Sequence, residues 1–333
     1  MFNNIPSPSS ENTWIFNGNH NGPITTTGYG SRVLDTYVWT KPRGIKMISI
    51  MCLGGGGAGG LGASGTNIAR GGGGGGGSGG LFTVMYPAKI ITDKLYVTPS
   101  NGNTPTNIRN GASTNDTGSF VVDEGGNTLA IAKNGSNGGD AVTTTAGALG
   151  AAATATVIGT DFHYAQFGIW RSYPGVAGTA GGSGTSVAAT NITTAWNTYP
   201  MTGGTGGGGL TSANVAGAGG SISSSAYPIV NVTNNAGGSV GTINGWFNLN
   251  GIITGNSGVG LAESKDFFTA AFPRFCGLGG LGGSAVSASV IGNNGGDGGF
   301  GCGGGGSAAT ITSTGNYAWP GLGGPGLIII SCW

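Results

Sequence analysis

Charge is what this chain has least of. Charged residues make up 7% of its 333 residues, against roughly a quarter in ordinary globular proteins. From Ser172 to Ala262 there is no Asp, Glu, Lys or Arg. With a net charge of +1 the chain has no electrostatic footprint for nucleic acid or an anionic membrane surface. Histidine is confined to His20 and His163, and the four cysteines (Cys52, Cys276, Cys302, Cys332) show no C-x-x-C spacing. That argues against a metal or redox centre and for small buried thiols, with disulfides as the alternative. No stretch approaches the ~20 apolar residues of a membrane span. The opening "MFNNIPSPSSENTW" lacks a basic stretch followed by an apolar one, so neither a secretory signal nor membrane insertion is expected.

Glycine is what the chain has most of. Its 76 glycines are about three times the usual share. Glycine-rich chains are ordinarily disordered because they bury too little apolar surface. This one is 38% hydrophobic, with seven Trp, nine Tyr and twelve Phe, and reads as folded. In "GNNGGDGGFGCGGGG" (292–306) glycine falls at 292, 295, 298, 301 and 304. Collagen shares that period but fills the gaps with proline, and here there are only 13 prolines in all. A left-handed helix of three residues per turn makes no internal hydrogen bonds. Built of glycine, it leaves every N–H free and no Cβ to hold neighbours apart, so such helices can pack side by side and bond to one another. The runs 54–60, 71–80, 203–209, 277–283 and 292–306 are expected to form such a bundle, with Leu278 and Leu281 pointing outward together.

Strands should anchor it, because ordering glycine is entropically costly. The candidates are 45–53 ("IKMISIMCL"), 81–87, 93–99, a hairpin in "SFVVDEGGNTLAIAKNG" turning near Gly125–Asn127, and 327–333 ("LIIISCW"). Strands 45–53 and 327–333 should share a sheet, bringing Cys52 and Cys332 together, with Trp39 and Trp333 in the core. Residues 1–34 read as an attachment or irregular segment and 35–333 as one glycine-rich domain. A turn or two of helix near "LAESKDFFTAAF" is the one helical candidate. The fold class is therefore mainly β with little or no helix: a sandwich-like scaffold joined to a polyglycine-II bundle.

Motifs for chemistry are few. "GAGGLG" (57–62) fits G-x-G-x-x-G, but "ASGTNIARGGGGGGG" after it cannot be the helix a dinucleotide fold requires. Asp123 with Glu124, and Glu263 with Asp266, are the close acidic pairs that a glycoside-cleaving site would need. A hairpin turn and a solvated segment account for them more simply. His163 could serve as a base, yet no nucleophile surrounds it. No enzyme activity and no cofactor are expected. The aromatic islands are better site candidates. Phe162, His163, Tyr164, Trp170, Arg171 and Tyr173 join flat apolar faces to polar tips, as recognition surfaces do. Trp196, Tyr199, Tyr317 and Trp319 form a second set. All ten are candidate receptor-binding residues, unless they pack over the glycine bundle.

The order "VWTKPRGIKMISIMCLGGGGAGG … GGLFTVMYPAKIITDKLYVTPSNG … GGDGGFGCGGGG … GGPGLIIISCW" resembles the glycine-rich domain of bacteriophage tail-fibre and fibre-tip adhesin proteins. A related pattern occurs in the glycine-rich ectodomain segment of anaplastic lymphoma kinase, beside a jelly-roll-like β part. The resemblance is specific at the two ends of 35–333, and at 100–275 it is one of composition. It implies packed polyglycine helices beside a β core, synthesis in the host cytoplasm, and a place on the virion. Its implied partners are other virion proteins through the N-terminal region, further copies of the chain, and a host surface glycan or outer-membrane protein. Alternatives are a head-fibre or tail-decoration protein without a receptor role, a surface polysaccharide-degrading enzyme and, more remotely, an ice-binding protein.

Overall fold

The computed structural model describes residues 12–18, 24–25, 28–29, 36–66, 68–102, 118–155, 168–185, 188–193, 201–223, 231–232, 243–244, 279, 282–285, 292–311 and 318–333. Among these the protein is mainly β, with a 3-10 turn at Ala88–Ile90 and no α-helix. The longer strands are β1 (Thr13–Asn17), β2 (Tyr37–Thr40), β3 (Met47–Leu53), β4 (Leu81–Pro87), β5 (Lys94–Thr98), β6 (Ser119–Asp123), β7 (Thr128–Ala132), β8 (Ile169–Tyr173) and β9 (Leu327–Cys332). They form two antiparallel sheets, ordered β1-β9-β3-β4-β8 and β2-β5-β6-β7.

Alternation explains the core between the sheets. In β3 the side chains of Ile48, Ile50 and Cys52 are buried while Met47, Ser49 and Met51 are half-buried. β4 repeats the pattern with Phe82, Val84 and Tyr86, as period-two strands do. These residues pack with Ile328, Ile330 and Cys332 from β9 and with Trp39, Leu95, Val97, Val121 and Leu129 from the second sheet. Tyr86 buries its ring there because its hydroxyl donates to the Leu129 carbonyl at 2.9 Å.

Several expectations change. Thr13–Asn17 is not irregular: it pairs with β9 as an edge strand, and Trp14 and Phe16 pack on the core while Ile15 stays exposed. β3 and β9 do pair, but antiparallel, with Cys52 opposite Ile328 and Cys332 opposite Ile48. Four residues of strand, about 13 Å, therefore separate the two thiols, and Cys52, Cys302 and Cys332 are buried. Trp39 is buried, but Trp333 is 39% exposed beyond the end of β9. Residues 261–272, the helical candidate, lie outside the described residues, as do Leu278 and Leu281.

The glycine runs are neither helix nor strand, yet they are buried and hydrogen-bonded to one another. The 71–80 run is central. Gly71, Gly74, Gly77 and Gly80 donate to carbonyls of 133–143; Gly72, Gly75 and Ser78 donate to those of 176–182; Gly73, Gly76 and Gly79 donate to those of 301–307. Its own carbonyls accept in the same rotation from 54–63, 147–153 and 204–207. Six runs thus enclose it, and each partner returns every third residue. This satisfies buried peptide groups that no ordinary ladder serves. A Cβ on Gly73, Gly76 or Gly79 would fall on the carbonyl oxygen of Gly60, Gly57 or Gly54, far inside van der Waals contact. Ser78 is tolerated in the run, and its Oγ accepts from the Val176 N–H at 2.7 Å.

The 292–306 stretch is not one continuous run. It reverses at Phe300–Gly301, where Gly301 takes φ +68 and Cys302 donates to the Gly299 carbonyl at 2.8 Å. The two halves then bond antiparallel, Gly305 to Gly296 and Ala308 to Asn293. Phe300 drives the reversal by packing on Leu53, Met201, Cys302 and Leu327.

Candidate functional site

β8 places three of the expected receptor residues. It is an edge strand, paired only with β4 among the described residues, with Trp170 opposite Val84 and Tyr173 opposite Leu81. Arg171 is exposed and Tyr173 half-buried. Trp170 is 43% exposed and stacks on Phe82, so one of its faces belongs to the core. Trp319 is 41% exposed and sits in the 318–326 run, its N–H held by Asn294. No ring contact joins it to Trp170 or Tyr173. Phe162, His163, Tyr164, Trp196, Tyr199 and Tyr317 lie outside the described residues.

The end of the glycine layer away from the sheets carries a second group of exposed residues, which sequence reasoning missed. Three breaks between neighbouring runs lie there: 65–70 (Asn67 lies outside the described residues), 142–145 and 211–215. Each exposes one branched apolar side chain: Ile68 is 44% exposed, Val142 68% and Val215 56%. Thr143 and Asn214, in two of these breaks, are the non-glycine residues with positive φ, +44 and +60, among the described residues. For a β-branched threonine that conformation is uncommon and strained.

Arg70 ties the breaks together. Its N–H and C=O exchange hydrogen bonds with Leu210 at 2.7 and 2.8 Å. Its guanidinium donates to the Gly65 carbonyl, the Thr310 carbonyl and Asn214 Oδ1, while Gly71 donates to the Thr143 carbonyl. The side chain is fully buried, no carboxylate pairs with it among the described residues, and desolvation lowers its pKa. Charge-assisted bonds to run-end carbonyls offset part of that burial. The rim of this end bears hydroxyls from Thr143, Thr144, Thr145 and Thr211. The sequence signal was the breaks between glycine runs, "TNIAR", "AVTTT" and "LTSANV".

The motifs behind the enzymatic alternatives fall partly within the described residues. Gly57 and Gly59 of the G-x-G-x-x-G match donate their N–H groups to Gly77 and Gly321, and Gly62 donates to Ser307 Oγ, so these amides are not free for phosphate. Asp123 is buried and caps its hairpin turn, its Oδ1 accepting from the N–H of Gly125 and of Asn127, each at 2.8 Å. Glu263, Asp266 and His163 lie outside the described residues. No cluster of three His, Cys, Asp or Glu is found among them, and none of their helices is long and apolar enough to cross a membrane. No protein-family model matches the chain, and no curated protein is similar to it in sequence.

Proposed function

We propose that the chain is a non-enzymatic structural protein of a bacteriophage virion, a tail-fibre or fibre-tip adhesin. Its glycine layer is read as a polyglycine-II bundle beside a jelly-roll-like scaffold. The observation that carries this reading is the 71–80 run enclosed by six others. Such a core has no side chains to repack and no loose backbone, and suits an appendage that must stay rigid outside a cell. The sheets hold one end of the bundle, which leaves the opposite turns to meet a host surface. Ile68, Val142 and Val215 with the threonine rim are uncharged and partly apolar. They fit a neutral glycan or an outer-membrane protein loop better than a polyelectrolyte.

Two measurements test it. Antibody raised against the purified chain should label phage particles at their fibres, and the purified chain should bind susceptible cells with little dependence on salt. A Val142→Asp/Val215→Asp variant should keep its melt and lose cell binding. Labelling of the head without cell binding would assign the chain to decoration instead.

A further inference from the structure

Two ladders of Asn and Asp side-chain acceptors flank the glycine layer. Asn134, Asn137 and Asp140 accept through Oδ1 from the N–H groups of Gly55, Ala58 and Leu61, at 2.6, 2.9 and 2.8 Å. The residue after each (Gly135, Gly138, Ala141) donates to the carbonyl of that same partner, at 3.0, 2.8 and 2.8 Å. Each Asx-X pair therefore clamps both polar groups of one residue on a neighbouring run. The clamp recurs at Asn294–Gly295 on Trp319 and at Asp297–Gly298 on Leu322. It also appears outside the glycine runs, at Asn191–Ile192 on Ser221.

The next step of the second ladder is a built-in control. Gly301 donates to the Pro325 carbonyl at 2.8 Å, and proline has no N–H to offer in return. The residue before Gly301 is Phe300, an apolar side chain turned into the cluster of Leu53, Met201, Cys302 and Leu327. An acceptor stands where an amide faces it and is missing where none does. On its other side the 318–326 run donates Gly321 and Gly324 to the carbonyls of Gly305 and Cys302. Among the described residues the amides of Trp319 and Leu322 therefore mark the layer's boundary, where Trp319 and Asn294 are exposed and Asp297 and Leu322 half-buried.

We propose that these ladders terminate the hydrogen-bonding lattice. Asn294 and Asp297 cap an edge that would otherwise accept a glycine run from a second copy of this chain. Inside the layer, amides at this spacing are what bind the next run. An occupant must bring carbonyls about 9.3 Å apart, three residues of an extended three-fold chain, without Cβ atoms between. A second copy meets both requirements, and a net charge of +1 offers little repulsion. β-Sheet proteins blunt their edge strands for the same reason. The capping stands on the hydrogen bonds themselves and does not depend on the adhesin reading.

The test compares Asn294→Ala/Asp297→Ala with Asn294→Asp, which keeps the acceptor. In dilute double variant the Trp319 and Leu322 amides should exchange with deuterium roughly tenfold faster than in the parent. As concentration rises, the double variant's sedimenting mass should exceed the parent's. Asn294→Asp should match the parent in both. Unchanged exchange, or association no greater than the parent's in a folded double variant, overturns the proposal. Should the double variant fail to fold, Asn294→Ala alone, at the exposed end of the ladder, is read by the same criteria.

Discussion

Trp170 stacks on Phe82, with ring centroids 6.3 Å apart and planes 20° from parallel. Phe82 is completely buried between the sheets, so the tryptophan closes the core at the β8 edge while showing its other face to solvent. Any recognition role of this residue is therefore coupled to stability. Trp170→Ala should cost ~1–2 kcal/mol of unfolding free energy in urea titration. Ile169→Ala, next to it but 74% exposed, should stay within ~0.5 kcal/mol. A Trp170→Ala chain as stable as the parent would release Trp170 from packing and restore it as a recognition residue.

Glycines of one run should differ sharply in tolerance. A Cβ on Gly76 would land on the Gly57 carbonyl oxygen, which is itself hydrogen-bonded within the layer. At Gly80 the nearest atom to a new Cβ is the Tyr173 carbonyl oxygen at 3.2 Å. Gly76→Ala should lose at least ~3 kcal/mol or fail to fold, since two backbones would have to part. Gly80→Ala should cost under ~1 kcal/mol. Equal melting temperatures for the two variants would contradict the close packing of the runs.

β9 lies between β1 and β3, and a central strand cannot be trimmed like a tail. Ile330 is fully buried among residues of both sheets, so Ile330→Ala should cost ~2–5 kcal/mol. Removal of 327–333 should abolish the cooperative melt. A truncated chain that still melts cooperatively would show that the second sheet and the glycine layer fold without it.

What the sequence disclosed follows from periodicity. β3, β4, β6, β7 and β9 announce themselves through β-branched and aromatic content between glycine clusters, and the glycine runs through composition. β1 was hidden because its five residues sit among Ser, Asn and Pro, and only pairing with β9 makes them a strand. The reversal at Phe300 was hidden because the three-residue period continues through it, and the cluster that Phe300 joins is remote in sequence. The Asx ladders were on the page as N-x-x-N-x-x-D at 134–140 and N-x-x-D at 294–297, but the spacing gains meaning only once the facing amides are located. Arg70 gave no signal. A lone arginine between glycine runs looks like a solvated charge until the three breaks are seen to close over it.

Alkaline pH should weaken the fold through the core it buries. Burial pushes the Cys332 thiol from 9.0 up to about 11. It raises Cys52 as well, and Tyr86 through desolvation first and the neighbouring Cys52 second. Each group is neutral when protonated, so the folded chain keeps protons that the unfolded chain releases earlier. Stability from these groups is complete below the unfolded values and declines as pH climbs through the folded ones. The urea midpoint should hold steady up to about pH 8.5 and fall between about 9 and 11. Cys332→Ala should reduce that slope by removing one of the three groups. A slope unchanged by the substitution would assign the loss to Cys52 and Tyr86. A flat parent profile through pH 11 would mean that water reaches these groups, and that the two sheets do not seal the core they share.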